Sequence, residues 1–253
     1  MAGENERYIL QSVDHALAIL ELFGSQEELG AADVAKQMGI GKSTAFRLLT
    51  TLEKRGFLLK TANARYRLGI KLVMLASVAG QRMEIVHSIH PYLERLTAAS
   101  GETSHFVVLV DETEVMFVDK VIATSSIRMD SLVGLRRLAH MTATGKAILA
   151  FKSEAFVDRY ANRVVFEQRT PHSLANKQAL LSSLAFSRAH QYACDDEESE
   201  LGLTCFAAPI FDLNNEVLGA ISISGPSERM NNRKTELVEL VKQTAAQIHA
   251  AMR

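Results

Sequence analysis

Apolar and polar positions alternate with two different periods along this chain. From Val13 to Phe23 the apolar residues recur every three or four positions, with Val13, Leu17, Leu20 and either Leu22 or Phe23 on one stripe. That spacing predicts an amphipathic helix, capped by Ser12 and ended by Gly24. A second helical pattern opens near Gly30–Asp33 and presents Val34, Ala35 and Met38, after which Gly39 supplies a turn. A third runs to about Arg55 and sets Ala45, Leu48, Leu49 and Leu52 on one face. Gly56 breaks it. Phe57–Lys60 and Arg65–Leu68 then read as strands around a turn at Thr61–Ala64, the second alternating basic and apolar residues. Ile70–Ala79 is a helical run with almost no polar face, and a helix from about Met83 to Ala99 carries Pro91 as a kink or a fresh start.

From Ser104 the period shortens. HFVVLV and EVMFVDKV predict a hairpin around Asp111–Glu114, and Ser126–Val133 predicts a third strand. Leu203–Phe211 and Glu216–Ser224 predict two strong strands around the turn Leu213-Asn214-Asn215. Helices are expected over Thr142–Phe151, Phe156–Phe166, Asn176–His190 and Lys234–Met252. Strands outnumber long crossovers, so the class expected is α+β, with a mostly antiparallel sheet and flanking helices.

Helix, glycine turn, helix and basic hairpin is the sequence form of a winged helix-turn-helix. Its second helix opens with Lys42, Ser43, Thr44 and Arg47, side chains suited to phosphate oxygens and base edges. On the hairpin, Arg65 and Arg67 lie two apart and share a side, within expected reach of a DNA backbone or minor groove. Charge sharpens this picture. The whole chain carries a net charge of −1, but Lys36–Lys71 holds nine Lys or Arg against the single acid Glu53. A basic surplus on that segment steers it toward phosphates.

Composition excludes several classes. At 253 residues, 47% hydrophobic and 23% charged, the chain reads as soluble globular protein. No apolar run approaches the roughly 20 residues of a membrane span, and MAGENERYIL has no signal-peptide pattern. Cys194 and Cys205 are too few for a disulfide framework or a thiolate zinc site. The expectation is a cytoplasmic protein without membrane, metal or cofactor. Lys146 after Gly145 hints at a phosphate loop, but Ala147 replaces the required Ser or Thr and the earlier glycine is missing.

The motifs SVDHALAILELF, KSTAFRLLTTLEKRGFL, YRLG, SGET, TATGKAILA, DDEESELGLTCFAAPIFD and AISISGP follow one another in order. Together they resemble the IclR family of bacterial transcriptional regulators over nearly the whole chain, Ser12 to Ala250. The resemblance implies residues 1–69 as a winged helix-turn-helix, 70–82 as a linker helix, and 83–253 as a GAF-like domain for effector binding and oligomerisation. It also implies a homodimer, often paired into a tetramer, a double-stranded DNA operator, and a small carboxylate effector such as an organic or sugar acid. Carried over by position, the effector would touch Met129, Ala143, Thr144, Gly145, Asp195, Leu203, Cys205, Ser222 and Ser224. The helix start at Gly145 suits an anion, and Ser222 and Ser224 face one way on their strand. Two positions depart from the family pattern, Gly41 where proline is common, and Ala143-Thr144 where relatives have glycine and alanine.

Two rival readings remain. One is an enzyme of hydrolase type with Cys205 as nucleophile and a histidine such as His140 as base. The other is a DNA-binding module whose C-terminal half serves assembly alone.

Overall fold

The computed structural model describes residues 10–82 and 84–252, with the backbone alone for 77–82 and 84. The expected lead-in Met1–Leu10, with Arg7, falls outside them except for Leu10. The chain forms two compact units, divided between Met83 and Glu84.

The first unit holds α1 (Gln11–Leu22), α2 (Ala31–Met38), α3 (Lys42–Lys54), the strands β1 (Leu58–Lys60) and β2 (Tyr66–Leu68), and α4 (Ile70–Arg82). Gly39 sits in the left-handed region at φ 65°, which turns the chain sharply between α2 and α3 without a Cβ penalty. Ile19, Phe23, Val34, Ala45, Leu49, Leu52, Leu58 and Tyr66 close the core. Two expectations for α1 fail. Leu10, not Ser12, occupies the N-cap, and no side chain caps the helix. Val13 and Leu17 are 51% and 57% exposed, because the helix turns Ile19 and Phe23 inward instead. A 3.6-residue period identifies two apolar stripes on this helix and cannot say which is buried.

The second unit opens with α5 (Glu84–Ser100), which runs through Pro91. Its sheet of β3 (Thr103–Leu109), β4 (Glu114–Val121), β5 (Arg136–Leu138), β6 (Ala193–Asp196), β7 (Leu203–Phe211) and β8 (Val217–Pro226) is antiparallel throughout, in the order β5-β4-β3-β8-β7-β6. One face packs Phe106, Phe206, Ile221 and Ile223 against α5 and the last helix, α10 (Lys234–Ala251). The opposite face packs Val107, Ala207 and Ala220 under α6 (Ala143–Leu149), with α7 (Glu154–Arg163) and α8 (Lys177–His190) behind. The two sets alternate along each strand, the period-2 pattern of a sheet covered on both sides. A short α9 (Ser227–Asn232), unseen in the sequence pattern, joins β8 to α10.

Ser126–Val133 is not a strand. Three of its carbonyls are taken by side chains instead. Thr103 Oγ1 donates to Met129 O at 2.9 Å, Arg229 to Ile127 O at 3.0 Å, and Lys120 Nζ to Ser131 O. The edge beside β4 goes to β5, which pairs Arg136 with Met116 and Leu138 with Glu114.

Candidate functional site

The first candidate surface is the outer face of α3. With Ala45, Leu49 and Leu52 buried, the helical period turns Lys42, Ser43, Thr44 and Arg47 outward, and all four are exposed. None of these four side chains hydrogen-bonds or ion-pairs among the described residues. Gly41 holds the helix start in extended backbone at φ −63°, ψ 141°, the φ that proline would impose. The departure from the family pattern therefore leaves the helix start in place.

On the hairpin the two arginines part ways. Arg67 is exposed. Arg65 reaches back across the unit, donating to Glu28 O at 2.9 Å and lying 3.0 Å from Asp33 Oδ2. Asp33 in turn accepts from Gly30 N–H at 2.9 Å and closes the start of α2. That backbone bond, then the Arg65 guanidinium, holds the Asp33 carboxyl below its ordinary range. Arg65 thus ties the hairpin to α2. The expectation of a free phosphate contact did not allow for the two acids facing it.

The second candidate is a cavity of about 90 Å³ between the sheet and α6. Met129, Ala143, Thr144, Asp195, Leu203, Cys205, Ser222 and Ser224 line it. Register explains why residues so far apart in sequence meet. Thr103, Ser224, Cys205 and Asp195 stand opposite one another across β3, β8, β7 and β6, and His105, Ser222 and Ala207 form the adjacent row. Thr103 also fixes the Met129 loop through its bond to the Met129 carbonyl.

Three details differ from the sequence expectation. Gly145 does not line the cavity. A Cβ there would collide with the Ala139 backbone, so glycine serves the close approach of two chain segments. Its N–H is also taken, by the Thr142 side chain at 3.0 Å. Asp195 faces the cavity, but its carboxylate accepts from Glu198 N–H at 2.8 Å and from Ser199 Oγ at 2.6 Å. It holds its own loop in the manner of an Asx turn. Of the acidic run Asp195–Glu200, Asp195 and Glu200 stand on the wall. Glu198 goes further, holding Lys146 Nζ with both carboxylate oxygens at 2.5 Å, where Lys146 is fully buried. Burial pushes the Glu198 pKa up, and Lys146 works against that push. The lysine that hinted at a phosphate loop is spent on this internal pair.

Sequence reasoning missed Phe117, Leu135, Arg137, Thr142, Arg169, Ser199 and Glu200 on the cavity wall. Phe117 was legible from the alternation in EVMFVDKV. Arg137 and Arg169 gave no signal, because an edge strand and a loop bring them in. His105 lies behind Ser222, with Nδ1 3.5 Å from its hydroxyl and its ring edge-on to Phe117. Burial, then the nearby Lys120, drives its pKa down to about 3, so the ring is neutral.

The arrangement does not support a cysteine nucleophile. Cys205 is buried and its thiol is pushed well above its ordinary pKa, chiefly by burial and then by Asp195. His140 is engaged elsewhere, 2.8 Å from the Tyr160 hydroxyl and against Phe166, and burial lowers it to about 4. No group of three or more potential metal ligands occurs among the described residues. No described helix is long and apolar enough to cross a membrane.

Residues 12–62 match the IclR helix-turn-helix domain, and residues 78–250 match the C-terminal domain of bacterial IclR transcriptional regulators. The chain is 35% identical to the HTH-type transcriptional regulator XynR of Escherichia coli, covering 88% of this chain and 89% of that one. It is 34% identical to the transcriptional repressor IclR of the same organism, over 96% and 90% of the two chains. The crystal structure of the Thermotoga maritima IclR superposes with a TM-score of 0.76 at 30% identity, covering 96% of this chain and 98% of the other. Fold, motif order and relatives agree, and the chain belongs to the IclR family of DNA-binding transcriptional regulators, which are not enzymes.

Proposed function

We propose that this regulator reads a near-palindromic operator as a dimer and that a small carboxylate effector in the C-terminal cavity sets its affinity for DNA. The observation that carries the effector reading is the cavity itself. Eight of the nine positions carried over from the family line one cavity, with Arg137 and Arg169 on its wall. A carboxylate fits the two guanidinium groups and the Ala143 and Thr144 amides at the start of α6. Ligand hydroxyls fit Ser222 and Ser224, which lie side by side on β8 and are both 2% exposed.

On the DNA side, Ser43, Thr44 and Arg47 are the base readers of this proposal, with Lys42 and Arg67 on phosphates. Arg65 orients the hairpin from behind. The dimer reading rests on two apolar stripes of the first unit that no described residue covers. Leu10 at the N-cap of α1 and Val13 and Leu17 on it are 51–71% exposed, and Ile70, Val73, Met74 and Leu75 on α4 are 49–66% exposed. Surface of that kind is buried against a second copy more readily than left in water. Assembly into tetramers, a catabolic operon as target and work in the cytoplasm belong to the same proposal.

The test is calorimetry and thermal shift against a panel of small organic and sugar acids, on wild type and Ser222→Met. A ligand bound only by the folded state raises the melting temperature. Ser222→Met should fill the cavity, abolish that shift and leave operator binding intact. Wild-type ligand affinity in the variant would place the site elsewhere.

A further inference from the structure

On α3, one position before Arg47 and three after Ser43, stands Phe46, a large apolar side chain that is 50% exposed. A lone exposed apolar side chain is ordinary on a protein surface. Its place makes this one different. The core face of the helix is complete without it, since Ala45, Leu49 and Leu52 fill that role. Phe46 lies instead on the flank of the outward face that borders the hairpin. Lys60 of β1 holds its ammonium 6.0 Å from the Phe46 ring centroid and 5.8 Å from that of Tyr66, which is buried. The cation thus links the exposed ring to a fixed ring of the hairpin, which restricts where the phenyl group sits.

We infer that Phe46 is a specificity-determining residue that reads the 5-methyl group of a thymine, on the hairpin side of the base contacted by Arg47. The inference rests on the reading of α3 as the helix inserted in the major groove. In that groove thymine alone carries an apolar group on its edge, and a phenyl ring has no hydrogen bond to offer any other base. Water leaves both apolar groups when they meet, which favours T·A over the other pairs at that position. Lys60, exposed beside the same ring, can turn its charge to an adjacent phosphate.

The experiment begins with selection of duplexes from a random library by the full-length protein, in parallel with Phe46→Ala and Arg47→Ala. Each thymine of the wild-type sequence is then replaced by deoxyuridine, which removes only the methyl group. One thymine per half-site should lose about fourfold in affinity, the size expected for one buried methyl. Phe46→Ala should show no such loss there, and its selected sequences should admit other bases at that position. Replacing that T·A pair with 5-methylcytosine·G should bind better than the unmethylated C·G pair for wild type alone. Phe46→Leu, which keeps an apolar tip, should retain part of the thymine preference, and circular dichroism checks that each variant is folded. If no thymine is sensitive to its methyl group while Arg47→Ala still relaxes a guanine, the Phe46 assignment falls and the groove reading stands. If neither substitution alters the selected sequence, both fall.

Discussion

The two candidate surfaces handle polar side chains in opposite ways. On the outside of α3, Lys42, Ser43, Thr44 and Arg47 are exposed, and their side chains make no hydrogen bond or ion pair among the described residues. Around the cavity the polar groups mostly answer one another. Asp195 holds its loop, Thr142 caps α6, Thr103 holds the Met129 carbonyl, and Lys146 is closed by Glu198. A surface that meets a large, rigid polyanion needs its donors free. A cavity that takes a small ligand needs walls fixed before the ligand arrives, because every unmet polar group in it costs stability. Removing one member of a bonded polar pair around the cavity should therefore damage folding, and mutation at the reading face should damage recognition.

The largest expected effect is at the buried pair. Lys146→Met leaves Glu198 without its cation and should cost about 3–5 kcal/mol of stability, read from urea unfolding of the second unit. Adding Glu198→Gln should recover much of that loss. Recovery would show that the unpaired charge, and not lost packing, does the damage. A Lys146→Met protein as stable as wild type would erase the contrast between the two surfaces.

Acid should attack the same unit. His105 and His140 have folded-state pKa values lowered from 6.5 to about 3 and about 4, chiefly by burial. Below pH 6.5 the unfolded chain binds protons that the folded one refuses. Stability present above that pH is lost as pH falls toward the folded values, at about 1.4 kcal/mol per pH unit for each histidine. Unfolding midpoints measured between pH 7 and pH 4 should fall steeply, and His105→Gln should flatten the slope. Equal slopes for variant and wild type would mean that His105 is already charged in the fold.

At the reading face the effects move to DNA. Arg47→Ala should cost about 1–3 kcal/mol of operator binding and relax preference at one base pair. Within the hairpin the contrast repeats on a smaller scale. Arg67→Ala should lower the salt slope of binding by about one. Arg65→Ala should instead loosen the hairpin, by at most about 1 kcal/mol since both of its carboxylate partners are part-exposed. Equal salt slopes for the two variants would return Arg65 to the phosphate-contacting set.

The smallest effect is at Gly41. Its φ of −63° suits proline, and its N–H is free of any hydrogen bond among the described residues. Gly41→Pro should therefore stabilise the first unit by about 0.4–1 kcal/mol through the unfolded chain, with operator affinity unchanged. Destabilisation in thermal melts would show that the α2–α3 turn needs the freedom of glycine.

Much of this was legible in the residues. The helix-turn-helix, its hairpin, the strong strands and the exposure of Lys42, Ser43, Thr44 and Arg47 all follow from local period and turn chemistry, which act within a few residues. The cavity positions came from motif resemblance, since no period links Met129 to Ser222. The sequence by itself determined the helix-turn-helix and its hairpin, the strands β3, β4, β7 and β8, and which side of α3 remains free. Tertiary structure decided which of two apolar stripes α1 buries, that Ser126–Val133 gives three of its carbonyls to side chains, and that Arg65 faces Glu28 and Asp33. It also brought Arg137 and Arg169 to the cavity and gave Gly145 its reason, the passing backbone of Ala139. Each of these depends on a partner distant in sequence, and only the folded chain supplies that partner.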